Sequence, residues 1–164
     1  MNFNKTFLIT ALFLVTALST AAQEKQKTTP AKTTGAFFAL SVADVDALSK
    51  WYQEKLGFKV LSSGEAPNKI AKFAILQTDG ALIEMIQHRD AKPMAVVAPG
   101  VKSAYQIHGI FKIGMLVEDL DALYSALKEK NVSIAYDLMP AKDVPMRSFS
   151  VRDGEGNLVQ FFGK

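Results

Sequence analysis

The chain has 164 residues, and its 19 Lys and Arg against 16 Asp and Glu give a formal net charge of only +3. No basic cluster with interleaved aromatic residues occurs, which argues against a nucleic-acid-binding protein. The chain contains no Cys, which suits an oxidising compartment where a free thiol is a liability.

The first 22 residues have the layout of a secretory signal peptide. Lys5 supplies the positive start, Phe7–Leu18 is a mostly apolar run, and small residues precede Gln23. The apolar run is too short to span a bilayer comfortably, so we expect export to the periplasm or the medium and no stable membrane insertion.

The next segment, 23–35, carries no apolar residue larger than Pro or Ala and is therefore predicted to be a flexible tether. The remaining 36–164 has the length of one ordinary domain and is long enough to bury a core. We divide it into module one at 36–87, a connection at 88–110 and module two at 111–164.

This division rests on an internal repeat. The segment Asp46–Leu48 recurs as Asp121–Leu123 when the chain is shifted by 75 positions. A recurring supersecondary unit predicts two similar modules that share one core. Further matched pairs at shifts of 75 or 76 are Val42 with Val117, Asp44 with Asp119, Phe73 with Phe149, Gly80 with Gly156, Leu82 with Leu158 and Glu84 with Gln160.

In each module the pattern predicts a strand, a helix and three more strands. Asp44 and Asp119 are placed as helix N-caps, and Gly57 and Asn131 as left-handed helix ends. The pair Asp79–Gly80 is typical of a tight hairpin turn. The predicted strands are Phe37–Val42, Phe58–Leu61, Ala71–Leu76 and Leu82–Gln87, then Phe111–Val117, Val132–Tyr136, Arg147–Val151 and Leu158–Phe162.

Strand alternation separates residues that face the helices from those that face the opposite side of each sheet. The purely apolar sets are predicted to lie under the helices, because a helix needs an apolar surface beneath it. The opposite side is a candidate cavity. Its predicted members include Phe37, Glu84, Lys112 and Gln160.

The chain resembles the vicinal oxygen chelate superfamily, the glyoxalase, bleomycin-resistance and dioxygenase type. The resemblance rests on Leu40–Asp44, Trp51–Tyr52, Leu56–Phe58 and the closing Asp153–Gln160, and it covers nearly all of the predicted domain. It implies an α+β fold in which two βαβββ modules have curved mixed sheets that form a cup for metal, substrate or both.

In metal-dependent members, the resemblance places ligands at the positions of Phe37, Glu84, Lys112 and Gln160. Only Glu84 and Gln160 offer suitable oxygen donors, and a divalent metal needs three or four donors. His88 and His108 fall outside these positions. We therefore predict no metal and no other cofactor.

We hypothesise instead that Lys112 and Glu84 form an ion pair where the metal would lie, because an unpaired charge in a cavity is costly. Met94, Val96 and Val97 are candidates for a lid. The predicted ligand-binding residues are Phe37, Glu84, Lys112, Leu116, Leu158, Gln160 and Phe162, with Leu82 and Ile86 as further apolar walls. The same apolar residues would also suit an interface between modules or subunits.

The function predicted is metal-free binding of a small, partly apolar organic molecule by an exported protein that is a possible homodimer. Two alternatives stay open. One is a metal-dependent lyase or dioxygenase of the glyoxalase type. The other is a metal-free acid/base enzyme in which Glu84 is the general base and Lys112 polarises a carbonyl or phosphoryl oxygen. An interaction module that binds another envelope protein is a further possibility.

Overall fold

The computed structural model describes residues 34–142 and 144–164. The predicted signal peptide and nearly all of the predicted tether lie outside the described residues. Within the described part, no helix is both long and apolar enough to cross a membrane.

Module one is a four-stranded sheet with one helix, in the predicted order. Strand β1 pairs in parallel with β4, which continues through antiparallel pairs to β3 and β2, so the sheet order is β1-β4-β3-β2. The elements are β1 (Ala36–Ser41), α1 (Val45–Leu56), β2 (Lys59–Glu65), β3 (Ala71–Thr78) and β4 (Ala81–His88).

Module two repeats this arrangement. Its sheet order is β5-β8-β7-β6, again with one parallel pair between the first and last strands. The connection carries the short helix α2 (Met94–Val97) and a 3₁₀ turn at Ala104–Gln106. The module's own elements are β5 (Lys112–Leu116), α3 (Leu120–Glu129), β6 (Ile134–Met139), β7 (Arg147–Arg152) and β8 (Leu158–Gly163).

The predicted helix ends are confirmed. The Asp44 carboxylate accepts hydrogen bonds of 3.0 Å from the amides of Asp46 and Ala47, which satisfies donors that an α-helix leaves unpaired at its first turn. Asp119 does the same for α3 through the Ala122 amide at 2.9 Å. Gly57 ends α1 with φ 73°, a left-handed conformation that glycine adopts without steric cost.

The predicted alternation is confirmed on β4, whereas consecutive residues are buried on β7 and β8. On β4, Ile83 and Met85 are fully buried, while Leu82, Glu84 and Ile86 between them are only partly so. The buried apolar residues of both modules pack with the helices in one hydrophobic core. Burial of this apolar surface is the main favourable contribution to folding. The largest fully buried side chains are Tyr52, Phe149, Phe161, Leu48, Leu76, Ile83, Met85, Leu120 and Leu127.

The bounds of two strands differ most from the prediction, one by its length and one by its position. Strand β2 runs four residues beyond the predicted end at Leu61, past an irregularity in register between Val60 and Ser62. All seven of its residues are exposed, so no apolar alternation marks its second half in the sequence. Strand β6 lies two to three residues later than predicted, because Val132 packs in the core before the strand begins.

The two modules meet through α1, the end of α3 and the β7–β8 turn. The Lys55 ammonium donates to the carbonyl of Lys130 at 2.8 Å, and the Lys130 ammonium donates to that of Lys55 at 3.1 Å. These two lysines are equivalent residues of the repeat, so the contact is reciprocal. In the buried part of the interface, the Tyr52 hydroxyl donates to Asp153 at 3.2 Å.

Candidate functional site

Module one presents Phe37 and Glu84 on the sheet face opposite its helix. Phe37 lies opposite Leu82 in the register and is 58% exposed. Glu84 lies opposite Ala39, two pairs further along, and is partly buried. The two predicted residues therefore share a face of the sheet, as the alternation indicated.

Module two brings two of the predicted residues into direct contact. The Lys112 ammonium donates to the side-chain oxygen of Gln160, and the Gln160 amide donates to the Ser148 hydroxyl at 3.2 Å. Gln160 and Ser148 are both buried, whereas Lys112 is exposed. The ammonium also lies 5.3 Å from the centre of the Phe111 ring. This polar chain is held by three neighbouring strands, β5, β8 and β7.

The predicted ion pair between Glu84 and Lys112 is not formed among the described residues. The physical reason lies in the sheet order. Glu84 and Lys112 belong to different sheets, whereas Gln160 lies on the strand beside Lys112 and offers a carbonyl oxygen within reach. The ammonium is therefore satisfied within its own module.

The other predicted residues of module two divide by exposure. Leu116 is 75% exposed on β5, and its register partner Phe162 is partly buried on β8. Leu158 begins β8 and is partly buried.

The donor set at the aligned positions does not fit a divalent metal. Phe37 offers no lone pair, and the oxygen of Gln160 already accepts from the Lys112 ammonium, a positive charge that would repel a cation. Across residues 34–142 and 144–164, no three His, Cys, Asp or Glu side chains are grouped closely enough to hold a metal ion. Glu84 would be left as a single strong ligand.

A cavity of about 900 Å³ opens where the two modules and the connection meet. We call it the junction cavity. Of the predicted ligand-binding residues, only Leu158 lines it, and of the predicted lid, only Met94 does. Its other walls come from the end of β1, the region between β2 and β4, the connection, and the turn before β8.

Aromatic side chains at this cavity are unusually accessible. Tyr105 of the connection is 66% exposed, Tyr136 of β6 is 51% exposed, and Phe111 before β5 is 40% exposed. Aromatic rings of this kind provide flat apolar contact area together with a polar edge. Such a lining suits a small organic molecule with a planar body.

One wall of the junction cavity is fixed by a contact between modules. The Glu155 carboxylate accepts from the Ala43 amide at 2.9 and 3.0 Å and from the Asp44 amide at 2.9 Å. These amides lie at the start of α1, where the helix dipole favours a negative charge. The contact joins the turn of module two to the residues after β1 and so fixes the two modules to each other at this wall of the cavity.

Sequence reasoning did not find most of this lining. Ala43 and Glu155 are 112 positions apart, and no local pattern connects them. Some signal existed, because both residues fall within the motifs that carry the family resemblance. The basic residues of the connection were not among the predicted site residues.

The described residues define a two-module α+β protein with a cavity where the modules and the connection meet. The profile of the Glyoxalase/Bleomycin resistance protein/Dioxygenase superfamily matches residues 35–161, and the chain belongs to this superfamily. The predicted resemblance and fold class are thereby confirmed. No curated protein matches the chain.

Solved structures share this fold at low sequence identity. A glyoxalase family protein from Enterococcus faecalis is 17% identical with a TM-score of 0.62, covering 80% of this chain and 96% of its own. A glyoxylase/bleomycin resistance protein/dioxygenase domain from Frankia sp. EAN1pec is 20% identical with a TM-score of 0.60. The match covers 81% of this chain and 93% of that domain. TioX from Micromonospora sp. ML1 is 23% identical with a TM-score of 0.58, and the match covers 80% of this chain and 98% of TioX.

Proposed function

We propose that this protein is an exported binding protein that holds a small, partly apolar organic molecule in the junction cavity without a metal. The observation that carries the proposal is the cavity of about 900 Å³, which has the size of known small-molecule sites. Its exposed aromatic side chains supply apolar contact, and its charged and amide groups supply a few directional contacts.

The chemistry of the donor set supports binding without a metal. Replacing the ligand-type residues of the family by Phe37 and Lys112 leaves two oxygen donors where three or four are needed. The amide of Gln160 is engaged with Lys112 and Ser148, so it is not free to turn towards an ion.

A metal-free acid and base enzyme is supported less well. It would require Glu84 and Lys112 to approach the same reacting atoms, and neither residue lines the junction cavity. Their catalytic assignment stays a prediction from the sequence, and no observation favours it over binding.

Export and self-association complete the proposal. The signal-peptide layout at 1–22 is the ground for export. The exposed apolar residues Phe37 and Leu116, on the outermost strands of their sheets, are the ground for a homodimer in which a second copy covers these faces. Sedimentation equilibrium on the full chain checks this: a monomer at all concentrations contradicts the homodimer and leaves the binding proposal intact.

A thermal-shift screen of the full chain tests the binding function. We expect small aromatic metabolites to raise the melting temperature by mass action, and Ni²⁺, Zn²⁺, Fe²⁺ or Mn²⁺ to leave it unchanged. Tyr105→Ala removes an aromatic wall and should reduce the shift. Leu61→Ala, which alters an exposed side chain outside the cavity, is the matched control. Stoichiometric metal in the purified protein, without any organic ligand, would contradict the proposal.

A further inference from the structure

The junction cavity is rich in positive charge, because six of the 19 Lys and Arg residues of the chain line it. Among the described residues, only two acidic ones, Glu65 and Glu155, line it. The formal net charge of the whole chain is +3, so this one region accounts for the imbalance. Its six cationic lining residues are Lys69, Lys72, Arg89, Lys92, Lys102 and Arg152.

One of the two acidic groups of the cavity is already engaged by backbone hydrogen bonds. The Glu155 carboxylate is held by two backbone amides at the start of α1. Several cations, by contrast, have no carboxylate partner within the described residues. Lys72 pairs with Asp46 at 3.4 Å and Arg89 with Asp90 at 3.7 Å, while Lys92 and Lys102 form no salt bridge there.

The cations reach the cavity from separate parts of the chain. Lys72 lies on β3, Arg89 follows β4, and Arg152 ends β7. Lys92 and Lys102 flank α2 in the connection. A concave surface lined by one sign of charge focuses its field and raises the local concentration of the opposite ion.

We propose that the ligand of the junction cavity is an aromatic anion, with its ring against the exposed aromatic residues and its carboxylate, sulfonate or phosphate near Lys92 and Lys102. This inference rests on the proposed function and names the class of molecule that the site takes. The aromatic and the basic groups belong to one cavity, since Tyr105, Lys92 and Lys102 all line it.

The test compares three probes of one shape and different charge, titrated into the full chain by isothermal calorimetry. They are 1-naphthoate, the neutral 1-naphthamide and the cationic 1-naphthylmethylammonium ion. We expect the carboxylate to bind most tightly, and its affinity to fall as salt is raised, because exposed charges are screened. The amide should bind more weakly and without this salt dependence.

Matched variants locate the effect. Lys92→Gln with Lys102→Gln should weaken carboxylate binding about three- to tenfold, since exposed charge pairs are individually weak. Lys50→Gln with Lys59→Gln changes the net charge equally but alters residues outside the cavity, and it should leave the affinity unchanged.

The outcomes separate the two proposals. Equal binding of the carboxylate and the amide, or tightest binding of the cation, overturns the anionic ligand while the binding function stands. Equal weakening by both double variants also overturns it, because net charge alone would then explain the preference. If none of the three probes binds, both proposals fail.

Discussion

The two modules share one architecture but differ where they meet. In module one the start of α1 is bound by a carboxylate from the other module, Glu155, in addition to its own cap. In module two the start of α3 is capped by Asp119, and no second carboxylate reaches it among the described residues. The repeat therefore kept what folds each module and diverged where the cavity is built.

The strongest test of this likeness is removal of equivalent core side chains. Tyr52 and Leu127 are matched by the shift of 75 positions, and both are completely buried. We expect Tyr52→Ala and Leu127→Ala each to lower the free energy of unfolding by about 3–5 kcal/mol, through lost burial and the cavity left behind. Urea unfolding measures both.

The control for this pair is an exposed residue of α1, Gln53→Ala, which should change stability by less than about 0.5 kcal/mol. A loss below about 1 kcal/mol for either core variant would mean that its module does not depend on its helix. The modules would then not be energetically alike.

The difference between the modules is tested by Glu155→Gln. The variant removes the charge from three charge-assisted contacts at the start of α1 and should cost about 1.5–3 kcal/mol. Asp79→Asn at the equivalent turn of module one is the matched control, and we expect a change below about 0.5 kcal/mol. Thermal or urea unfolding of both variants gives the comparison, and equal costs would remove the asymmetry.

The contact between Tyr52 and Asp153 gives a smaller effect that depends on pH. Tyr52→Phe should cost about 1 kcal/mol, because the hydrogen bond is lost while Asp153 still accepts from Asn157. Burial, reinforced by the Asp153 charge, raises the pKa of Tyr52 above its ordinary value.

The sign of the pH effect follows from that direction. The pKa of Tyr52 is higher in the folded state than in the unfolded state. The stabilisation that its hydroxyl provides is therefore complete below about pH 10 and is lost as the pH rises further. Wild-type protein should therefore lose more stability than Tyr52→Phe between about pH 9 and pH 11. Parallel pH dependence of the two proteins in urea unfolding would contradict the buried contact.

The smallest expected effects are coupling free energies between residues on the sheet faces that lie opposite the helices. A double-mutant cycle between Lys112→Met and Gln160→Leu should give a coupling of about 1 kcal/mol, whereas Lys112→Met with Glu84→Gln should give almost none. The reverse ranking would restore the ion pair that the sequence predicted.

Local patterns were sufficient to predict the fold. The caps at Asp44 and Asp119 act within three residues, and strand alternation acts within five or six, so both are readable from one sequence. The duplicated motifs then indicated the family. Strand β2 was predicted too short because its exposed polar half offers no such pattern.

The site could be predicted only in part. The face that carries Phe37 and Glu84 followed from alternation, but partner choice for Lys112 depended on the sheet order, and Gln160 was nearer than Glu84. The basic wall of the junction cavity combines residues as distant as Lys69 and Arg152. Their convergence depends on how the modules pack, which no single segment encodes.

The most direct test of the central claim is to map ligand contacts by ¹H–¹⁵N correlation spectra of the full chain during titration with 1-naphthoate. The account predicts that the perturbed amides cluster at the junction cavity, at Val42, Arg152 and Leu158 and along the connection near Tyr105. Perturbations confined to the sheet face around Phe37 and Glu84, with the junction amides unmoved, would contradict it.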